Sequence, residues 1–212
     1  MVSKNDLSRL PSPAKLEAAL RYCAMLDIVM CDKEWLRCFT FDSKWSANDT
    51  MARYDDGEGN HLFALFTGDA AIIKGFDHES PVSPHAQDEY AVWPGIYDDV
   101  PSNLFELLDD PAFERDDVTF CVWHCARGWE AGNPVFANGE DDGSSYLLGI
   151  LYTTAKSYCE WAKAYYERAV SLSAVQAVYN GATITSSLVA ELNPSRDPSQ
   201  ALAELAQQGL SE

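Results

Sequence analysis

His78, Glu79 and His85 are the residues whose types could do acid–base or metal chemistry, and Asp77, Asp88 and Glu89 accompany them. All lie on or beside the stretch from Asp77 to Pro101, which carries four prolines and no clear period. Imidazole and carboxylate groups on one loop could move a proton or hold a divalent cation if that loop closed over a pocket. Their spacing fits no zinc, calcium or metalloprotease signature, so neither a metal nor a cofactor is expected. The simpler reading is that Asp77 caps a turn and His78 faces solvent. A hydrolase or metal-dependent enzyme with its site under residues 77–101 stays open as an alternative, with His78, Glu79 and His85 as candidate catalytic groups.

Cys121, His124 and Cys125 form a second group. A thiol near an imidazole invites a nucleophile. The stretch Val118–Cys125 alternates like a strand, however, and a separation of three sends Cys121 and His124 to opposite faces. Cys121 and Cys125 share a face, but theirs is not the two-residue spacer of redox or zinc pairs. Buried structural cysteine is the reading these positions favour. The chain has no phosphate-cradling glycine loop, no dinucleotide glycine pattern and no serine elbow.

The strongest signal is charge. Residues 42–142 hold 22 acidic and 5 basic side chains, a net of −17 out of the −18 of the whole chain. Such a segment favours a basic partner and disfavours nucleic-acid phosphate. Asp55-Asp56, Asp88-Glu89, Asp98-Asp99, Asp109-Asp110, Asp116-Asp117 and Asp141-Asp142 fall where turns and element ends are expected. Any one pair is most simply a solvated turn. Together with Trp45, Trp93, Trp123 and Trp129 in the same segment, they suit a protein interface in which aromatic anchors hold and charge steers encounter. The expected binding residues are Asp98, Asp99, Asp109, Asp110, Asp116 and Asp117, with Trp93 or Trp129 as the anchor.

The elements that would position these groups follow from periodicity and turn chemistry. Ser12-Pro13 opens a helix to about Met30, with Leu16, Leu20, Cys23 and Leu26 at helical spacing. Strands are expected over 34–41, 50–54, 61–67, 70–76 and 118–125, turning at 55–60 and at Gly68-Asp69. A short helix fits 103–108. After Gly143 the composition turns helical and nearly neutral, with helices expected from Ser157 (a capping box with Glu160), over 172–179, over 186–192 and from Asp197-Pro198. The fold class is α+β: an N-terminal helix packed on an antiparallel meander of about five strands, with a helical C-terminal third. One domain over 1–212 is expected, with a core at 12–142 and a helical extension at 143–212.

The first ten residues lack the apolar core of a signal peptide, and no apolar run approaches the length of a membrane span. A cytoplasmic chain with six reduced thiols and no membrane partner is the expectation. The sequence does not fix an oligomeric state; a helical-interface adaptor is a further alternative.

Trp45, the run Lys74-Gly-Phe-Asp77-His-Glu-Ser80, Trp93-Pro-Gly95 with Asp99-Val100-Pro101, and Trp161-Ala162 with Tyr165-Tyr166-Glu167 together resemble a widespread group of uncharacterised bacterial proteins. The resemblance spans about Trp35 to Pro194 and implies a bacterial cytoplasmic origin with no assigned reaction. In size, acidity and mixed α/β content the chain is also similar to immunity proteins that neutralise bacterial toxins.

Overall fold

A computed structural model describes residues 6–136 and 141–211. Helix α1 (Pro13–Met30) lies across one face of a six-stranded antiparallel meander. The strands are β1 (Phe39–Asp42), β2 (Asp49–Asp55), β3 (His61–Thr67), β4 (Ala70–Phe76), β5 (Phe120–Cys125) and β6 (Gly128–Ala131), hydrogen-bonded in chain order. The remaining helices are α2 (Ser102–Phe105), α3 (Ser144–Leu147), α4 (Ala155–Tyr165), α5 (Leu172–Tyr179), α6 (Ser186–Leu192) and α7 (Pro198–Gln207). The α+β class stands, with six strands where about five were expected.

Strand alternation divides the core in two. Phe39, Phe41, Ala52, Tyr54, Leu62, Ala64, Phe66, Ile73 and Val122 face α1 and the C-terminal helices in one apolar cluster. Phe63, Leu65, Ile72, Cys121 and Trp123 face the other way, against Ile96, Leu104, Leu108, Phe113 and Val118. A helical layer thus covers one face of the sheet, and a layer made mostly of loops and turns covers the other. The helices after Gly143 are part of the larger cluster, with Tyr158, Val175, Val189 and Leu205 buried in it.

Two element starts, those of β1 and α4, are displaced from the expected positions. Residues 34–36 form a 3-10 turn, so β1 begins only at Phe39, where pairing with Tyr54 starts. The buried Asp27 carboxylate of α1 takes the Cys38 and Phe39 N–H groups, each at 2.9 Å, while the Cys38 carbonyl accepts from Asp55 N–H at 2.9 Å. Helix α4 starts at Ala155, capped by Thr154 rather than Ser157: the Thr154 hydroxyl accepts from Ser157 N–H. Ser12 precedes α1 but makes no side-chain cap bond. Among the described residues, no helix is long and apolar enough to cross a membrane, and all six cysteines are free thiols.

Candidate functional site: an acidic layer on one face of the sheet

The layer opposite the helices is where the charge sits. Residues 77–118 hold twelve acidic side chains and one basic, Arg115. Ten of the twelve are exposed, and Asp77 and Asp117 are half-buried. In α1 and residues 143–211 together, seven acidic side chains face six basic ones. The sheet therefore separates a nearly neutral helical layer from a strongly anionic one.

An acidic layer repels itself, so it must be fastened. Apolar side chains supply the first fastening: Ile96, Leu104, Leu108, Phe113 and Val118 point down into the smaller core and leave their acidic neighbours pointing out. Lys74 of β4 supplies the second. It is fully buried, and its Nζ donates to the carbonyls of Phe113 and Glu114, each at 2.6 Å, while lying 5.4 Å from the Phe63 ring centroid. Burial pushes the Lys74 ammonium down to about 8, against the pull of Asp117 and Glu114. Glu114 adopts the left-handed conformation (φ 47°), so the turn that Lys74 grips is one a non-glycine residue rarely makes unaided.

The third fastening is a close backbone approach. Asn133 N–H donates to the Gly95 carbonyl at 2.9 Å. A Cβ on Gly132 would lie 2.0 Å from the Ile96 carbonyl oxygen, so only glycine lets the loop seat there. Gly132→Ala is expected to cost about 2 kcal/mol through overpacking. A lowered urea midpoint with unchanged slope would show it.

The acidic groups continue around one end of the sheet. Asp117 Oδ1 receives His85 Nε2 at 2.7 Å and the Tyr90 hydroxyl at 3.0 Å. Arg115 pairs with Asp109 and reaches Asp116 at 3.8 Å. His61 Nε2 stands 3.9 Å from Glu114 Oε2, and His61 opens β3 opposite Asp55. Burial, then the charges of Lys74 and Arg53, push the His61 imidazole down to about 4. Asp56 accepts from the Tyr146 hydroxyl at 3.3 Å. The Ser80 hydroxyl reaches the Asp141 carbonyl at 2.6 Å. Among the described residues, no Lys or Arg of the helical layer pairs with any acid of residues 77–118.

The expected binding residues separate on this framework. Asp98, Asp99, Asp109, Asp110, Asp116 and Asp117 all belong to the acidic layer. Asp110 also caps its turn, accepting from Ala112 N–H at 2.9 Å. Trp93 is half-buried beside them, its indole N–H donating to the Val135 carbonyl at 3.3 Å. Trp129 lies on the other face, packed against the helical core and donating to the Pro11 carbonyl at 2.7 Å. The two tryptophans do not share a surface.

His78, Glu79 and His85 are each exposed and each has its own neighbour. His78 bonds Asn60 through backbone and ring, both at 3.0 Å, while the Glu79 N–H turns onto Asp77. His85 is held by Asp117. None of the three lines the cleft between Ala14 and Thr50 or the groove between Trp35 and Tyr165. Among the described residues, no three His, Cys, Asp or Glu side chains gather as a metal site would require. Cys121 and His124 do fall on opposite faces: Cys121 is buried in the smaller core, and the His124 ring packs against Trp129.

The sequence reasoning missed Lys74. It sits in an apolar strand run, and only the turn docked over it makes it matter. Also missed was Trp35, which is 79% exposed and placed outside the sheet by the turn at 34–36. No protein-family model, curated protein or solved structure matches the chain.

Proposed function

We propose that this chain is a binding protein whose acidic layer covers a basic patch on a protein partner. The observation that carries the reading is the layer asymmetry: twelve carboxylates against one guanidinium over residues 77–118, none of the twelve buried. Carboxylates at turn positions on a fastened layer cost little entropy to present, and a field of one sign raises the encounter rate with an oppositely charged surface. The partner class that fits is a protein whose cleft is built for phosphate, such as a toxin nuclease. The chain would then neutralise it by placing carboxylates where phosphates bind, as the similarity to immunity proteins implies.

The enzyme alternative draws no support from this geometry, because its three candidate groups are spread over separate hydrogen bonds. The adaptor alternative needs a continuous free apolar helical face, whereas Tyr158, Val175, Val189 and Leu205 of α4 to α7 are buried in the core and leave only Tyr165 and Leu172 exposed as large apolar side chains on these helices.

Capture from a lysate of the native host at low salt should retain a basic protein. Raising the salt from about 50 to 300 mM should release it, because rim charge interactions are screened over roughly 10 Å at 0.1 M. Retention of acidic or neutral proteins alone, indifferent to salt, would contradict the reading.

A further inference from the structure

We infer that the groove between Trp35 and Tyr165 receives an arginine side chain of that basic partner. The inference rests on the acidic-surface reading and names where its anchor sits. The groove has a volume of about 470 Å³ and is walled by Glu34, Trp35, Leu36, Asp55, Asp56 and Tyr165. Trp35, Leu36 and Tyr165 are 79%, 44% and 38% exposed, an unusual concentration of apolar surface outside any core. Tyr165 is rigid: its hydroxyl donates to the Leu36 carbonyl at 3.0 Å, and its ring stacks on Trp161 with centroids 5.2 Å apart.

The charge balance of the groove selects a cation. Arg37 is committed to Glu204 at 2.5 Å and to the Cys31 carbonyl at 2.9 Å, and Arg53 to Asp55 at 2.5 Å. Asp56 already accepts from Glu58 N–H, from Asn60 and from the Tyr146 hydroxyl, so Glu34, which has no Lys or Arg partner among the described residues, is the carboxylate an incoming cation meets. A guanidinium suits this combination better than an ammonium. It can lie flat on indole and phenol faces while its edge reaches a carboxylate. A second copy of this chain is disfavoured as occupant, because each copy brings a net charge of −18.

The groove also joins the acidic layer. Asp55 is the register partner of His61, which stands 3.9 Å from Glu114. One partner surface can therefore engage both, with charge spread over the layer and the anchor at its edge.

The probe is an octa-arginine peptide, titrated against the ¹⁵N-labelled full chain at low salt, with octa-lysine as comparison. The Trp35 indole resonance, assigned by its loss in Trp35→Phe, should shift. Trp35→Ala should weaken octa-arginine binding at least tenfold and octa-lysine binding less, with unchanged thermal unfolding. The triple variant Asp98→Asn, Asp109→Asn, Asp116→Asn should weaken both peptides. Binding that is unaffected by Trp35→Ala but lost in the triple variant would overturn the groove assignment and leave the acidic-layer reading standing. No binding of either peptide to the wild-type chain would overturn both. A concentration-dependent dimer that protects Trp35 would make a second copy the occupant and overturn the assignment.

Discussion

Lys74→Met is expected to destabilise the chain by about 2 kcal/mol and to loosen the acidic layer in the same step. Two opposed terms set the size. Removing the ammonium removes the cost of holding a charge away from water. It also strands the Phe113 carbonyl, which has Lys74 Nζ at 2.6 Å, and leaves the Glu114 carbonyl with Asp117 N–H at 2.8 Å alone. A buried carbonyl left unpaired costs about 1–3 kcal/mol, and the left-handed turn at Glu114 loses one of its ties, keeping Glu114 N–H on the Pro111 carbonyl and Asp117 N–H on its own carbonyl. The carbonyl term wins because a methionine of similar length still fills the site and so prevents the turn from closing down. Hydrogen exchange should accelerate at residues 110–118 more than in α1 or β3. A denaturation midpoint equal to wild type would mean that the apolar cluster alone fastens the layer.

Asp27 is the second position of large effect, on the helical side of the sheet. Its fully buried carboxylate accepts from the Cys38 and Phe39 N–H groups and from the Tyr158 hydroxyl at 3.2 Å, so it ties α1 to β1 and α4. Asp27→Ala strands all three donors and is expected to cost about 4 kcal/mol. Asp27→Asn keeps an oxygen acceptor and should cost far less. Burial pushes the Asp27 carboxyl up to about 7, above its ordinary 3.8, so the folded state holds this proton more tightly than the unfolded state does. Stability from this group is therefore present at acid pH and declines as pH rises from about 4 to 7. His61 runs the other way: its folded value is depressed to about 4, so its contribution is present above the unfolded value of 6.5 and is lost as pH falls toward 4. The difference between wild type and Asp27→Asn isolates the first effect. The variant should gain on wild type across pH 4–7 in chemical denaturation. A constant difference across that range would show that the carboxyl titrates normally.

Much of the sheet was legible because its signals are local. The hairpin of β3 and β4 has apolar side chains on both faces and a two-residue turn at Gly68-Asp69. Helix α1 and helices α5 to α7 carry helical spacing and recognisable ends. The misplaced start of β1 has a non-local cause. Alternation over 34–41 cannot reveal that a carboxylate of the preceding helix takes two N–H groups. Strand β6 has four residues and one large apolar side chain, too few to show a period. At α4 the cap is Thr154 and not the expected Ser157; Glu160 sits 3.9 Å from Lys156 rather than folding back as a box would require.

The site was legible as composition and illegible as shape. Counting residues locates the anionic segment. It cannot say that 92–118 lies flat on one sheet face, because the layer has little regular structure and is shaped by Lys74, by Gly95 beside Gly132, and by apolar residues spaced without a period. Nor could it separate Trp93 from Trp129: the side of Trp129 follows from the register of β5 with β6, and that of Trp93 from the docking of its loop on the smaller core.

The most direct test of the account compares two variants of equal charge. One carries Asp98→Asn, Asp109→Asn and Asp116→Asn on the acidic layer; the other carries Glu160→Gln, Glu167→Gln and Glu191→Gln on the helical layer, all six positions being exposed. Each loses three negative charges, so net charge is matched and only location differs. The measured quantity is basic protein captured from host lysate at low salt. The account predicts that the first variant loses most of the capture and the second keeps it. Equal loss in both would show that overall charge, and not a particular face, draws the partner.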